Sequence, residues 1–177
     1  FGLRGASAIT AGTAQNSTSV SMVCEMPSEI IAAQIDAAMS ELRPAAVKIG
    51  MLASRRIVEL VATKMDQWKP NAIVLDPVMV ASSGATLVPD DAVDAIRGVL
   101  LPMATVVTPN WDETPPLINA WPRGLQDIQR VAVSFQRLGA RAVLIKGGHL
   151  DGAEVVDTLF DGHDYHQYSH PRIAADR

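Results

Sequence analysis

Apolar residues recur along the chain at two different spacings, and each spacing predicts one kind of element. Spacings of three and four residues place apolar side chains on one face of a helix, and three segments show this clearly. The first predicted helix begins at Ser28, and the second ends before Pro70. The third covers 125–138, with Gly139 at its C-terminal cap. Their apolar stripes are Ile31, Ile35, Ala38, Met39 and Leu42; Ile57, Val61, Met65 and Trp68; and Ile128, Val131, Ala132, Phe135 and Leu138. A shorter helix is predicted after Asp90-Asp91, whose carboxylates suit a first helical turn.

Short runs rich in β-branched residues alternate with these helices and predict strands. The runs cover 6–14, 19–26, 46–51, 72–75, 104–107 and 142–145. We expect the first of them to be a buried strand. Two more runs, 154–160 and 163–168, flank Asp161-Gly162 and predict a β-hairpin.

The order of strand and helix, repeated about four times, is typical of an α/β fold. It predicts a mostly parallel central sheet with helices on both faces and an antiparallel pair near the C-terminal end. The length of 177 residues favours a single domain, and 48% of the residues are hydrophobic, enough to bury a sizeable core.

The composition argues against several classes of function. The formal net charge is −4 and 19% of residues are charged, without a basic cluster, so we expect no nucleic-acid partner. The apolar runs are shorter than the ~20 residues of a membrane span, so we expect no membrane association. Cys24 is the only cysteine, which fits a reducing, cytoplasmic location, and we expect it to be buried rather than nucleophilic. The four histidines, at 149, 163, 166 and 170, lack a zinc-like arrangement and suit solvated positions.

Chemically distinctive residues directly follow five of the predicted strands. They are Gln15-Asn16, Gly50-Met51, Asp76-Pro77-Val78-Met79, Thr108-Pro109-Asn110 and Lys146-Gly147-Gly148. In open α/β sheets, ligands bind outside the carboxyl ends of the strands. We therefore expect the five groups to meet at one edge of the sheet and form one binding site.

Two of these strand ends supply carboxylates suited to a metal ion. Mg²⁺ prefers one or two carboxylates together with phosphate oxygens, so Asp76 and Glu113 are candidate ligands. Glu113 belongs to an Asn110-x-x-Glu113 pattern that follows a strand. Both residues have structural alternatives, because Asp76 suits a turn or helix cap, and Asn110 with Glu113 suits a capping-box start of a helix.

Lys146-Gly147-Gly148 is the best candidate for binding phosphate. Glycine lets the backbone approach a phosphate closely, and lysine adds a point charge. The alternative is a surface lysine before a flexible turn. The sequence has neither a G-x-x-x-x-G-K-[ST] motif nor a G-x-G-x-x-G motif after a strand, which argues against a P-loop enzyme and a dinucleotide-binding oxidoreductase.

Gln15 and Met51 suit a pocket for a small heteroaromatic molecule. A glutamine amide both donates to and accepts from a ring edge, and a methionine thioether packs against a ring face. For Met51, an ordinary position in the core explains the residue equally well.

Five segments of the chain together resemble the hydroxymethylpyrimidine/phosphomethylpyrimidine kinases of thiamin synthesis, in the ribokinase-like superfamily. The segments are GTAQN at 12–16, KIGML at 48–52, VLDPVM at 74–79, TPN at 108–110 and KGGH at 146–149. KIGML, LDPVM and KGGH are specific to the family, whereas Asn110-x-x-Glu113 marks only the wider superfamily. The likeness extends over nearly the whole chain.

The resemblance implies a ribokinase-like fold and ATP-dependent phosphorylation of 4-amino-5-hydroxymethyl-2-methylpyrimidine and then of its monophosphate. It implies a pyrimidine pocket lined by Thr13, Gln15, Met51 and Val78. It implies that ATP is bound by Asn110, Lys146 and Gly147. It implies that Mg²⁺ is held by Asp76 and Glu113. It also suggests a homodimer.

The resemblance also predicts what this chain lacks. Family members carry a glycine-rich segment that we do not find before Phe1, and a Gly-Thr-Gly-Cys stretch that we expect beyond Arg177, together with the catalytic base. Residues 1–177 would then be one kinase domain without those two segments. Trp111-Asp112 departs from the usual turn, so the short helix after Asn110 is expected to be displaced. The alternatives are a pyridoxal or pyridoxine kinase, a non-catalytic pyrimidine-binding relative, and an unrelated nucleotide-binding regulator.

Overall fold

The computed structural model describes residues 2–80, 86–120, 127–148 and 152–173. Its elements are β1 (Ala11–Gln15), β2 (Val20–Glu25), α1 (Ser28–Leu42), β3 (Ala46–Ile49), α2 (Arg55–Trp68), β4 (Ala72–Leu75), α3 (Asp90–Ala95), β5 (Val106–Val107), α4 (Thr114–Ile118), α5 (Ile128–Arg137), β6 (Ala142–Ile145), β7 (Glu154–Phe160) and β8 (Tyr165–Pro171). A π-helical turn (Ile96–Leu100) and a 3₁₀ turn (Leu101–Met103) continue α3. His149 and residues 125–126 of the third predicted helix lie outside the described residues.

The main sheet has six strands in the order β3-β4-β5-β6-β7-β8. The first four run parallel, and β7 and β8 add antiparallel to the edge formed by β6. The prediction of a mostly parallel sheet flanked by helices, with a hairpin near the C-terminal end, is confirmed. Because sequential parallel strands are neighbours, the segments that follow β3, β4, β5 and β6 leave the sheet along one edge.

Side chains alternate between the two faces of the parallel strands. One face is buried with the helices in a single core, and it carries Ile49, Ile73, Leu75, Val107, Val143 and Ile145. The other face is more accessible, and it carries Lys48, Val74, Val106 and Leu144. The stripes of α1, α2 and α5 pack into the same core, as their helical spacing predicts.

Residues with positive φ close three of the helices, beside the prolines and the glycine that predict helix ends in the sequence. Arg43 (φ 43°) ends α1 and Lys69 (φ 47°) ends α2, each directly before a proline. Gly139 follows α5 with φ 99°, a conformation that glycine adopts without a steric penalty. Its position at the helix C-terminus agrees with the predicted cap.

The prediction of a buried first strand is wrong. β1 pairs only with β2, antiparallel, in a separate two-stranded sheet, and four of its five residues are exposed. Cys24, on β2, is also exposed rather than buried. Small and β-branched residues favour a strand, but their burial depends on which element covers them, and the local sequence does not specify that partner.

The C-terminal hairpin forms as its turn residues predict. The Asp161 carboxylate accepts the backbone N–H groups of His163 and Asp164, both within 2.9 Å, and Gly162 adopts φ 103°. His163, His166 and His170 are exposed, in agreement with solvated positions. Within the described ranges, no helix has both the length and the apolar content needed to cross a membrane.

Candidate active site

The strand ends of β4 and β6 bring a carboxylate and an ammonium group together. Lys146, directly after β6, donates to Asp76 Oδ1, directly after β4, at 2.8 Å. The same ammonium lies 3.7 Å from Glu113 Oε2. The predicted meeting of Asp76, Glu113 and Lys146 at the carboxyl edge of the sheet is therefore observed, although these residues are far apart along the chain.

Asn110 and Glu113 hold each other in a reciprocal arrangement at the start of α4. The Glu113 N–H donates to Asn110 Oδ1, and the Asn110 N–H donates to Glu113 Oε2, both at 2.8 Å. Asn110 also pairs with Lys146 in an isolated parallel bridge beyond β5 and β6. The capping-box alternative for this pattern is therefore present, and it fixes the buried Glu113 carboxylate beside Lys146.

Pro115 and Pro116 lie in the first turn of α4, where a missing backbone N–H removes no helical hydrogen bond. The helix therefore begins at Thr114 and accommodates both prolines.

A second lysine, Lys48, belongs to the same cluster, and the sequence alone did not identify it. Its ammonium lies 2.8 Å from Asp76 Oδ2, the oxygen that Lys146 leaves free. Lys48 is inside β3 rather than after it, so a search restricted to strand ends misses it. The alternation of side chains along a strand reveals Lys48. Lys48 pairs in register with Val74, two residues before Asp76, so Lys48 and Asp76 lie on the same face of the sheet.

The charges around Asp76 keep it ionised. Burial of Asp76 raises the pKa of its carboxyl, but the hydrogen bonds from Lys146 and Lys48 outweigh burial, so the pKa lies below its usual value. The carboxylate is 15% exposed, which makes these ion pairs stronger than fully solvated ones. Asp76 is therefore a fixed negative charge between the two ammonium groups.

Asp76 and Glu113 have the oxygen donors that a hard cation such as Mg²⁺ prefers. Both oxygens of Asp76 are engaged by lysines, and Glu113 Oε2 faces Lys146. Among the described residues, no three His, Cys, Asp or Glu side chains gather to hold a metal. By their chemistry, the two carboxylates fit a hard cation.

Gly147 has a packing role that the sequence did not predict. Its N–H donates to Asp157 Oδ1 at 2.8 Å, and a Cβ at this position would lie 2.1 Å from the carbonyl oxygen of Val156. The close approach of β7 therefore explains the glycine. The Gly147 N–H is thus used within the protein, and binding of ATP by Gly147 stays a prediction.

The four residues predicted to line a pyrimidine pocket fall into two groups. Met51 and Val78 follow neighbouring strands of the main sheet and are half-buried. Thr13 and Gln15 are exposed on β1, outside the parallel sheet, so the expectation that Gln15 follows a strand of this sheet is wrong. Thr10 Oγ1 donates to the Met51 carbonyl at 3.1 Å and joins the segment before β1 to the end of β3.

A cavity of about 410 Å³ lies beside β3, next to the cluster rather than in it. The segment before β1, α1, β3 and α2 line it, and its apolar wall includes Ile35, Met39, Val61 and Met65. Lys48 and Met51 border it, but Asp76 and Lys146 do not. We place the chemistry at the charged cluster, because the cavity wall has no carboxylate to hold a phosphate-bound cation.

The chain is similar to known proteins over nearly its whole length. The model of the phosphomethylpyrimidine kinase family matches residues 1–177. The chain is 41% identical over 170 residues to a hydroxymethylpyrimidine/phosphomethylpyrimidine kinase of Bacillus subtilis (strain 168), covering 96% of the chain and 63% of that protein. It is 46% identical over 163 residues to one of Rhizobium meliloti (strain 1021), covering 92% of the chain and 61% of that protein. The chain thus spans less than two thirds of the length of these two relatives.

Solved structures give the same fold. A phosphomethylpyrimidine kinase from Clostridium difficile 630 superposes with a TM-score of 0.85 at 37% identity, covering 94% of this chain and 72% of that one. A pyridoxal kinase from Staphylococcus aureus, in complex with AMP-PCP and pyridoxal, superposes with a TM-score of 0.83 at 29% identity. The match covers 95% of this chain and 61% of that one.

Proposed function

Because the chain belongs to the phosphomethylpyrimidine kinase family, we propose that the protein containing it transfers the γ-phosphoryl group of ATP to 4-amino-5-hydroxymethyl-2-methylpyrimidine and then to its monophosphate. The observation that carries the proposal is the Lys146 ammonium, 2.8 Å from Asp76 and 3.7 Å from Glu113. Phosphoryl transfer needs positioning and neutralisation of charge more than covalent chemistry. A cluster of this composition supplies both.

Each residue of the cluster has a part in the proposed reaction. Lys146 leaves the carboxylates and donates to the ATP phosphates, offsetting their charge. Asp76 and Glu113 are the residues that would hold Mg²⁺, and the ion would neutralise charge on the phosphate oxygens. Asn110 fixes Glu113 through the hydrogen bond to its N–H. Met51 and Val78 form part of the pyrimidine pocket, with Thr13 and Gln15 contributed from β1.

The catalytic base is proposed to lie beyond Arg177, as the family pattern implies. We also propose a cytoplasmic location and a homodimer, which rest on the composition and the family resemblance alone.

The test uses the full-length enzyme with Asp76→Ala and Lys146→Ala. Each substitution should lower kcat about 10- to 1000-fold, because each removes a charge that faces the transferred phosphoryl group. Arg55→Ala is the control, since Arg55 pairs only with Glu59 on the surface of α2 among the contacts described. Wild-type turnover in either cluster variant would contradict the assignment.

Pyridoxal kinase is the second candidate function, and the superposition with the Staphylococcus aureus enzyme at a TM-score of 0.83 favours it. The two substrates are similar rings with a hydroxymethyl group. The ratio of kcat/KM for hydroxymethylpyrimidine to that for pyridoxal separates them, and a ratio above 1 supports the first function. Calorimetry with MgATP tests the non-catalytic alternative, since nucleotide binding without turnover would favour a binding-only relative.

A further inference from the structure

Lys48 pairs with the Asp76 oxygen that Lys146 leaves free, from the neighbouring strand β3. We propose that Lys48 is a positioning residue: it keeps the Asp76 carboxylate in place when Lys146 moves to a phosphate. The inference deepens the proposed function and rests on it, because it presupposes that Lys146 binds ATP.

The geometry makes Asp76 the centre of a row of three charges. Its two oxygens lie 2.8 Å from two different ammonium groups, one on each side. β3 and β4 pair in parallel with Lys48 opposite Val74, so Lys48 reaches Asp76 along the same face of the sheet. Asp76 therefore has a fixed orientation, with Oδ1 towards Lys146 and Oδ2 towards Lys48.

The charge balance explains why the second lysine matters. Without ligand, Asp76 pairs with both Lys48 and Lys146, and Glu113 Oε2 lies 3.7 Å from Lys146. An arriving triphosphate competes with Asp76 and Glu113 for Lys146, because its oxygens carry more negative charge. If a neutral residue replaced Lys48, Lys146 would be the one cationic side chain that pairs with Asp76 among the described residues. Phosphate and carboxylate would then compete for one ammonium.

A purely stabilising role for Lys48 is too small to explain the arrangement. Its side chain is 64% exposed, so water screens the Lys48 side of the pair with Asp76 and limits what the pair contributes to stability. Orientation of Asp76 is a different effect. Without Lys48, the Asp76 carboxylate is free to rotate and to pair with Lys146 through either oxygen, and Oδ1 then no longer faces the phosphates. The effect should therefore appear in nucleotide binding with Mg²⁺ rather than in the stability of the fold.

The experiment compares Lys48→Met, Lys48→Arg and Arg55→Met in the full-length enzyme. Calorimetry gives the Kd of ATP with and without Mg²⁺, and the ratio of the two values measures how much the cation strengthens binding. In Lys48→Met this ratio should fall about 5- to 10-fold, as for a coupling between neighbouring charges. Arg55→Met removes the same charge from α2 and should keep the wild-type ratio.

Two further readouts separate positioning from a general loss of charge. Lys48→Arg should stay within about twofold of the wild-type ratio, because a guanidinium also pairs with a carboxylate. In Lys48→Met, KM for MgATP should rise together with a lower kcat, while the midpoint of thermal unfolding without ligand stays unchanged.

The outcomes distinguish this inference from the proposed function. If the wild type binds MgATP and Lys48→Met keeps its ratio, Lys48 has no positioning role and the proposed function stands. If Lys48→Arg loses as much as Lys48→Met, the pairing with Asp76 is not the cause, and the inference fails. If the wild type binds no ATP with or without Mg²⁺, both the inference and the proposed function fail.

Discussion

Gly147 shows how one residue next to the charged cluster is constrained by packing. A Cβ here would lie 2.1 Å from the Val156 carbonyl oxygen and 2.7 Å from its carbonyl carbon, distances that real side chains do not adopt. Among the described residues, no atom lies within 4 Å of a Cβ added at the neighbouring Gly148. Of the two adjacent glycines, the contact with β7 therefore requires only Gly147.

Replacing Gly147 with alanine should lower the free energy of unfolding by about 1–3 kcal/mol, because the added methyl group forces β7 away from the end of β6. Gly148→Ala is the matched control and should change stability by less than about 0.5 kcal/mol. Urea unfolding of both variants measures the difference. Equal stabilities would show that β7 moves away at no cost.

At the scale of elements, a polar cluster around Asp36 joins α1 to α2. Asp36 on α1 accepts from Lys64 at 2.6 Å and from the Trp68 indole N–H at 2.8 Å, both on α2. These hydrogen bonds, that from Lys64 first, lower the pKa of Asp36 below its usual value. This polar cluster therefore links the two helices beside their apolar stripes, in addition to the hydrogen bond from Arg56 to Ser28.

The lowered pKa of Asp36 gives a pH dependence with a definite sign. A carboxylate with a lower pKa in the folded state contributes stability above its unfolded pKa, and this contribution is lost as the pH falls through the folded pKa. A double-mutant cycle of Asp36→Asn and Lys64→Met should therefore show favourable coupling at pH 6 and a coupling close to zero well below pH 3.8, by urea unfolding. Coupling that is the same at both pH values would contradict an ionic contact.

The elements were predictable wherever local pattern and burial agree. The stripes of α1, α2 and α5 gave helices because three- and four-residue spacing and packing against the sheet select the same positions. The burial of β1 was not predictable, because the element that covers a strand is a tertiary property. Asp76 and Lys146 were found from the rule that ligands meet strand ends, whereas Lys48 lies within a strand and required the register of β3 against β4.

At the scale of the whole molecule, the strand order assembles the cluster. β3, β4, β5 and β6 are consecutive neighbours, so the residues in and after them become adjacent although helices separate them along the chain. Lys48, Asp76, Asn110 and Lys146 therefore follow the same order across the sheet as along the sequence. A ligand that contacts all of them ties four strands together, and its binding must stabilise the whole fold.

Binding of MgATP should raise the free energy of unfolding of the full-length enzyme by about 2.7 kcal/mol at a free concentration of 100 times Kd. The gain should appear equally in all amides that exchange hydrogen only through global unfolding, because the ligand binds the folded state and not the unfolded chain. Lys146→Ala should lose most of the gain at the same MgATP concentration, whereas Arg55→Ala, altered on the surface of α2, should keep it. Core amides that exchange at the same rate with and without MgATP would contradict binding of the nucleotide to the folded protein.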